Sequence, residues 1–352
     1  MMRVEASVFQ RKLLDWFDLN GRKDLPWQHP VTAYRVWLSE TMLQQTQVST
    51  VIPYFLKFVE RFPEVDDLAS ASLDSVLQMW SGLGYYARAR NLHQSARIIQ
   101  ASGRFPDNFD SLIQLPGIGQ STAGAILSIA FQNSHPILDG NVKRVLARFE
   151  GVSGWPGASV TAKHLWMVSA YYTPKERVAD YTQAIMDLGA TVCTRSKPDC
   201  VRCPLHTDCY ARLNGTVALL PAPKPAKKLP VKHLYFLYLT DGSGHTLLEQ
   251  RPLSGIWGGL WSFPEFESVT AAHKWCLCQQ ISIIKSECLP EQRHTFSHFH
   301  LNYIPLKITT DNHKHFVMEA NRLVWYKNPQ IKLLGLAAPI QRLLESTHED
   351  TV

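Results

Sequence analysis

One stretch decides how this chain can be laid out. Residues 214–232 read NGTVALLPAPKPAKKLPVK, with four prolines and four lysines among small side chains. Proline locks its own backbone and has no amide hydrogen to give, so such a run suits neither a helix interior nor a central strand. It reads as an extended, solvated linker. The two sides of it differ in period. Residues 5–215 carry apolar side chains at helical spacing, broken by Asn20-Gly21, Pro53, Pro63, Gly82-Leu83-Gly84, Pro106, Pro116 and Pro136. No strand alternation is convincing there, and roughly ten short helices are expected. Past the linker, strands take over. Residues 233–240 (HLYFLYLT) form a β-rich run, Asp241-Gly242-Ser243-Gly244 reads as a turn, and 246–250 returns. Further strand candidates are 261–264, 295–308 and 323–326, with helices over 271–280 and 339–345. The predicted architecture is a mainly α domain (residues 1–213), the linker (214–232) and an α+β domain (233–352).

Charge and cysteine usage narrow the class. The net charge of +6 suits a polyanionic partner. No apolar run approaches the roughly 20 residues of a membrane span. The first residues, MMRVEASVFQRKLLDWF, read as an amphipathic helix and lack the apolar core of a signal peptide. A reducing cytosol is the expected compartment. The seven cysteines are an odd number, which argues against a disulfide framework. Four of them follow the pattern Cys193-x6-Cys200-x2-Cys203-x5-Cys209. Four thiolates so close in sequence can converge on one soft metal centre, iron–sulfur or zinc. A zinc ribbon usually has two C-x2-C pairs, and here there is one.

Two carboxylates stand in places where a carboxylate is informative. In YRVWLSETMLQQT (34–46), Val36, Trp37, Met42 and Leu43 make an apolar face that includes Glu40. Ionising a carboxyl on such a face is costly, so its pKa should rise toward what a general acid needs near neutral pH. The competing reading is an ordinary solvated Glu. Further on, Leu115-Pro116-Gly117-Ile118-Gly119 forms a Gly-rich turn that opens an apolar helix, and Asp139-Gly140-Asn141 opens a second helix carrying Lys143, Arg144 and Arg148. The turn leaves helix-start amides free to bind an anion. Asp139 alone reads as an N-cap. Between these stretches lies WSGLGYYARARNL (80–92), where tyrosines and arginines follow a glycine turn. Aromatics beside cations suit base stacking and phosphate contact, and equally a buried helical core. In the C-terminal half, RHTFSHFH (293–300) has His294, His298 and His300 at strand alternation, so zinc is conceivable, although no local cysteine or carboxylate completes a set.

In this order and at these spacings, the stretches resemble the adenine DNA glycosylase family of the endonuclease III (helix-hairpin-helix) superfamily. The resemblance runs over nearly the whole chain: LSETMLQQT, the tyrosine turn, the LPGIG hairpin, the following aspartate, the cysteine loop and HTFSHFHL. It implies a mainly α helix-hairpin-helix glycosylase domain with an iron–sulfur cluster loop, followed by a Nudix-like α+β domain. The implied substrate is double-stranded DNA with adenine opposite 8-oxoguanine or guanine. The cofactor would be a 4Fe–4S cluster on Cys193, Cys200, Cys203 and Cys209. The resemblance makes Glu40 the acid that protonates adenine and Asp139 the carboxylate that stabilises the sugar cation, with Asn141 orienting it. Gln45 and Tyr85 would wedge into the stack. Leu115, Gly117, Gly119, Ser121 and Lys143 would meet the DNA, and Gln28 and Gln183 would hold the adenine edge. Phe296, Ser297 and His298 match the loop that reads 8-oxoguanine, whose N7 donor and C8 carbonyl a serine hydroxyl can answer.

Departures from related patterns matter as much. The bifunctional relatives place a lysine after the hairpin, and Ser121 occupies that place. Serine cannot form an imine, so a monofunctional enzyme is expected. LSGIWGGLWSF (253–263) resembles the start of a Nudix domain, but the Gly-led, Glu-rich helix that holds magnesium is absent after Gly259. The fold is therefore expected without pyrophosphatase activity. The remaining readings are a bifunctional glycosylase-lyase, a nucleic-acid-binding module without catalysis and a nucleotide pyrophosphatase. A monomer associated with the nucleoid is the expected state.

Overall fold

A computed structural model describes residues 4–225, 228–311, 323–327 and 334–349. Residues 1–3 of the expected N-terminal helix and positions 226 and 227 of the expected linker lie outside the described residues. The chain forms two compact units. Residues 1–70 group with 91–226, and residues 71–90 group with 227–352. The break at 226/227 lies within the expected linker, and the departure is that residues 71–90, which hold most of the tyrosine turn, group with the C-terminal unit. Among the described residues, no helix is long and apolar enough to cross a membrane.

The first unit is helical, as its period predicts. Its helices are α1 (Ala6–Asn20), α2 (Ala33–Leu43), α3 (Val48–Arg61), α4 (Val65–Ser70), most of α6 (Ala87–Ser102), α7 (Phe109–Ile113), α8 (Gln120–Ala130), α9 (Gly140–Glu150), α10 (Ser159–Tyr172), α11 (Val178–Asp187) and α12 (Tyr210–Leu213). The centre is α8, which touches α2 and α11. Every residue of α8 from 122 to 129 is buried, as expected of a helix apolar all round. A side chain at Gly124 would meet the Pro136 carbonyl oxygen at 2.4 Å, so only glycine lets the following loop pass this close. Asp139 caps α9 by accepting from the Val142 amide at 2.7 Å, and Gly151 ends that helix in the left-handed conformation at φ 74°. A π turn, Leu188–Val192, continues α11.

The start of the expected linker is built into this unit. The Thr216 amide donates to the Ala211 carbonyl, and the carbonyls of Val217 and Leu220 accept from the buried Arg148 guanidinium. Lys224 lies over the Trp155 ring at 5.8 Å. The helical periodicity ends near residue 213, whereas the packing continues past it.

The second unit is a mixed sheet with helices. Its strands are β1 (Val231–Asp241), β2 (His245–Gln250), β3 (Trp261–Ser262), β4 (Glu265–Phe266), β5 (Lys285–Cys288), β6 (Gln292–Thr295), β7 (His300–Thr310) and β8 (Leu323–Lys327). The path β3-β2-β1-β7-β5 runs through a parallel β1–β7 pair, and the other described pairings are antiparallel. Helix α13 (Val269–Cys278) packs Ala272 and Cys276 against Leu237, Leu239, Leu306 and Ile308. Cys276 is thus a core side chain, while Cys278 and Cys288 are exposed. Helix α14 (Ala338–Glu349) ends the unit, and α5 (Leu73–Met79) from the N-terminal half joins it. The expected strand over 295–308 is instead a hairpin. β6 ends at Thr295, which pairs with His300 at the start of β7. His294, His298 and His300 therefore do not share one strand face. No group of His, Cys, Asp or Glu among the described residues is arranged to hold a single metal ion.

Candidate functional site

A cleft of about 870 Å³ opens in the helical unit. Glu40 from α2 and Asp139 from the start of α9 both line it, joined by Gln45, Ser121, Asn141 and Gln183. The central helix explains the meeting. α8 starts at the Gly-rich turn and lies against both α2 and α11, and the loop after it delivers Asp139. Ser121, in the first turn of α8, accepts a hydrogen bond from the Leu138 amide at 2.9 Å. That bond ties the hairpin to the residue before Asp139.

The two carboxyls meet different surroundings. Glu40 is half-buried at the cleft wall, and burial first and the neighbouring Asp139 second push its pKa up to about 8. Burial also raises Asp139, but the Val142 and Asn141 amides and the charges of Arg144 and Lys143 pull it back. Among the described residues, no amide or cation offsets burial at Glu40 in this way. Glu40 is thus the carboxyl held protonated near neutral pH, and Asp139 is the one with amides and cations placed to favour its charged form.

Other expected residues fall in several places. Gln28 does not line the cleft. Its amide accepts from the Leu25 amide at 2.9 Å and donates to the Arg22 carbonyl at 2.9 Å, so it is committed to shaping its own turn. Residues that sequence reasoning missed stand nearby. Arg22 lines the cleft, gripped by Asp187, whose two oxygens accept from its backbone amide, Nε and Nη2 at 2.6–3.0 Å. Asp187 is 2% exposed, and an acid so buried requires such a partner. Trp27 and Met186 also line the wall. The signal for Asp187 was an acid among the apolar residues of α11, although nothing in the sequence names its partner 165 positions away.

The hairpin turn has the form the sequence suggests. Leu115 and Ile118 are buried and anchor it, while Gly117 and Gly119 are exposed. Gly117 sits at φ 80°, and a side chain there would also meet the Asn91 Cβ at 2.8 Å. Gly119 begins α8 with no side-chain cap, so its first amides stay open. Lys143, on the first turn of α9, is not among the cleft-lining residues.

The cysteine loop sits against α9. Cys193, Cys200, Cys203 and Cys209 are all free and line one small cavity with Arg148. Arg148 is only 4% exposed. Its Nη1 donates to the Thr194 carbonyl at 2.7 Å and approaches the Cys193 sulfur at 3.3 Å, and Nη2 donates to the Arg195 carbonyl. Arg144 donates to the carbonyls of Cys193 and Gly189 and to Asn141 Oδ1. Gly189 is needed for this contact, since a Cβ there would lie 2.6 Å from that of Asn141. Four thiol donors around one cavity, with backbone amides of Leu205, Ala211 and Arg212 toward the sulfurs, are a suitable donor set for an iron–sulfur group.

The remaining expected residues belong to the second unit. Tyr85 is 51% exposed at φ 49°. Gln45, in the first unit, also has a positive φ, 61°. Non-glycine residues rarely adopt this left-handed backbone, and it concentrates at functional sites. At the β6–β7 hairpin tip, Ser297 and His298 are exposed, Phe296 is half-buried, and the Phe296 amide donates to the Phe299 carbonyl at 2.9 Å.

Comparison with known proteins agrees with this layout. Residues 38–170 match the model of the HhH-GPD superfamily of base excision DNA repair proteins, and residues 235–346 match the NUDIX domain. The chain is 42% identical to the adenine DNA glycosylase of Buchnera aphidicola subsp. Acyrthosiphon pisum, over 96% of this chain and 97% of that protein. To the adenine DNA glycosylase of Mus musculus it is 36% identical, covering 88% of this chain and 72% of the relative. A solved thermostable thymine-DNA glycosylase superposes with a TM-score of 0.54 at 26% identity, over 59% of this chain and 97% of that one. The HhH-GPD match holds the Glu40–Asp139 cleft, the NUDIX match holds the β6–β7 hairpin, and the full-length relatives join both; this chain belongs to the adenine DNA glycosylase family of base excision repair.

Proposed function

We propose that this chain flips adenine out of duplex DNA, where it is mispaired with 8-oxoguanine or guanine, and hydrolyses its glycosidic bond. The observation that supports this is the meeting of two carboxyls in one cleft, Glu40 with its pKa pushed up to about 8 and Asp139 with two amides and two cations favouring its charge. A base inside the stack cannot be reached, so it must swing into the cleft. Unstacking costs a few kcal/mol, which wedging by Gln45 and Tyr85 and phosphate contacts at the hairpin turn offset. Glu40 gives its proton to N7 of adenine and turns the base into a leaving group. The sugar develops oxocarbenium character, which Asp139 stabilises, as paired carboxylates do in glycoside hydrolysis. Asn141, held by Arg144, orients Asp139 or the sugar phosphate. Gln183 lines the same cleft, which supports its role in holding the adenine edge. Gln28 acts only through its turn.

Proton inventory sets the pH profile. Excision needs Glu40 protonated and Asp139 ionised. The single-turnover rate should fall about tenfold per pH unit above about 8, as Glu40 loses its proton. It should also fall at acid pH, from a point above the ordinary aspartate range. A rate that stays level from pH 7 to pH 9.5 would remove Glu40 from the proton-donor role.

The four cysteines would hold a 4Fe–4S cluster. The Cys193-x6-Cys200-x2-Cys203-x5-Cys209 spacing supports iron–sulfur over zinc, since a zinc ribbon usually has two C-x2-C pairs and here there is one, and the four thiols line one cavity. When bound, the group fixes the loop and keeps it against α9. The hydrolysis itself involves no net oxidation or reduction.

Excision on duplexes with adenine opposite 8-oxoguanine, guanine and thymine tests the reading. Alkali-dependent breaks in the first two, with the third spared, are the expected result. Breaks without alkali would favour a lyase. Ser121 cannot form an imine, so any borohydride-trapped adduct should come from Lys143, and Lys143→Ala should remove most of it. Trapping that survives this substitution would refute the assignment of the side reaction.

A further inference from the structure

Residues 253–259 form the loop that holds two separate parts of the second unit together. Trp257 is 8% exposed and sits at φ 52°, a backbone that bulky side chains almost never adopt. It does so beside glycines that the local path requires. A side chain at Gly258 would meet the Leu253 carbonyl oxygen at 2.3 Å, and Gly259 lies at φ 77°. Strain of this kind persists only where the surroundings over-determine it.

On one side, the Trp257 ring lies under the β6–β7 hairpin. Its centroid is 5.1 Å from Phe296 and 5.4 Å from His294, and those two rings are 4.6 Å apart. Phe296 then stacks on Phe299 at 4.7 Å. Behind it, Phe236 contacts Trp257 and stacks on Tyr303. The exposed Ser297 and His298 are thus carried on a ring stack whose base is Trp257. On the other side, the next carbonyl, that of Gly258, accepts from Arg90 Nη1 at 2.6 Å. Arg90 is in the first turn of α6, directly after the tyrosine turn, and its amide donates to the Tyr86 carbonyl. In that turn Arg88 donates to the carbonyls of Leu83 and Gly84 and lies over the Tyr85 ring at 5.4 Å.

We propose that Trp257 is a specificity-determining positioning residue. Through it and Gly258, the Phe296–Ser297–His298 hairpin tip and the Tyr85 turn are held in one fixed arrangement, so that preference for 8-oxoguanine over guanine depends on both at once. This rests on the reading of that hairpin as the lesion reader. Trp257 touches the rings that carry the tip and, given its burial, acts through them.

The test compares single-turnover excision and duplex affinity for adenine opposite 8-oxoguanine and opposite guanine, using the full chain. Trp257→Leu should lower the 8-oxoguanine preference by about tenfold, the size of one discriminating base contact, while the guanine duplex is processed at close to its original rate. Trp257→Phe keeps a ring over Phe296 and should restore most of the preference. Arg90→Met breaks the other arm without touching the hairpin, and should lower the same ratio even if Trp257→Leu fails to fold. Equal losses on both duplexes, or no change in the ratio with Arg90→Met, would overturn the proposal. Ser297→Ala separates the two levels. If it lowers the preference while Trp257→Leu and Arg90→Met do not, only the coupling fails. If Ser297→Ala leaves the preference intact, the hairpin is not the reader and the coupling falls with it.

Discussion

Glu40→Gln should abolish adenine release and make the folded protein more stable. The amide cannot donate a proton to N7, so the single-turnover rate should drop at least a thousandfold, the upper part of the range for a lost general acid. Affinity for the mispaired duplex should remain. The stability gain follows from the same pKa. Glu40 titrates near 8 when folded and near its ordinary value of 4.5 when unfolded. Below pH 4.5 both states hold the proton and the side chain contributes no penalty. As pH rises from 4.5 to 8 the unfolded chain has released the proton and the folded one has not, so folding is progressively disfavoured. At pH 7 that difference is on the order of 3 kcal/mol, and glutamine, which has no proton to lose, removes it. Thermal unfolding of both proteins at pH 4.5 and pH 7.5 checks this. The gap in Tm should be small at the lower pH and several degrees at the higher. A variant that loses activity but is no more stable at pH 7.5 would mean the carboxyl is better solvated than its surroundings suggest.

Arg148→Lys should have the second large effect, on the loop rather than the chemistry. The buried guanidinium donates to the carbonyls of Thr194, Arg195, Val217 and Leu220 and approaches the Cys193 sulfur. A lysine has three donors on a flexible stem and cannot reproduce that fork. At least two part-buried carbonyls lose their partner and turn to water instead, at about 1 kcal/mol each. We expect a lower Tm, proteolytic cleavage within residues 193–220, and reduced iron after purification. Intact iron and wild-type protease resistance would show that the cysteines organise the loop without Arg148.

Much of the site was legible in the sequence because its signals are local. The cysteine spacing, the Gly-rich turn and Asp139 at a helix start each lie within a few residues. At Glu40 the apolar face alone left an ordinary solvated glutamate open, and the resemblance carried by LSETMLQQT singled the residue out. What the sequence hid was tertiary. Arg22 and Asp187 are joined across most of the helical unit. Gln28 has the chemistry to hold a base but spends it on Leu25 and Arg22. The β-rich run at 295–308 conceals a turn because Phe296 and Phe299 are strong strand formers, and here they stack on each other across the tip. The linker's compositional start at 214 was read as solvated because nothing local reveals that Arg148 takes its carbonyls.

The grouping of residues 71–90 with the C-terminal sheet bears on how this chain can be cut and recombined. Gln250 donates to Asp74, and a side chain at Gly259 or Gly335 would press on Leu77. A truncation after the linker would strip those partners from α5 and leave the tyrosine turn without its backing, so an isolated helical fragment is a poorer surrogate for the glycosylase than its length suggests. Exchanging C-terminal domains between relatives should succeed more often when this N-terminal insert of about twenty residues travels with the transplanted piece. Function in this chain is therefore inherited in interleaved rather than consecutive blocks.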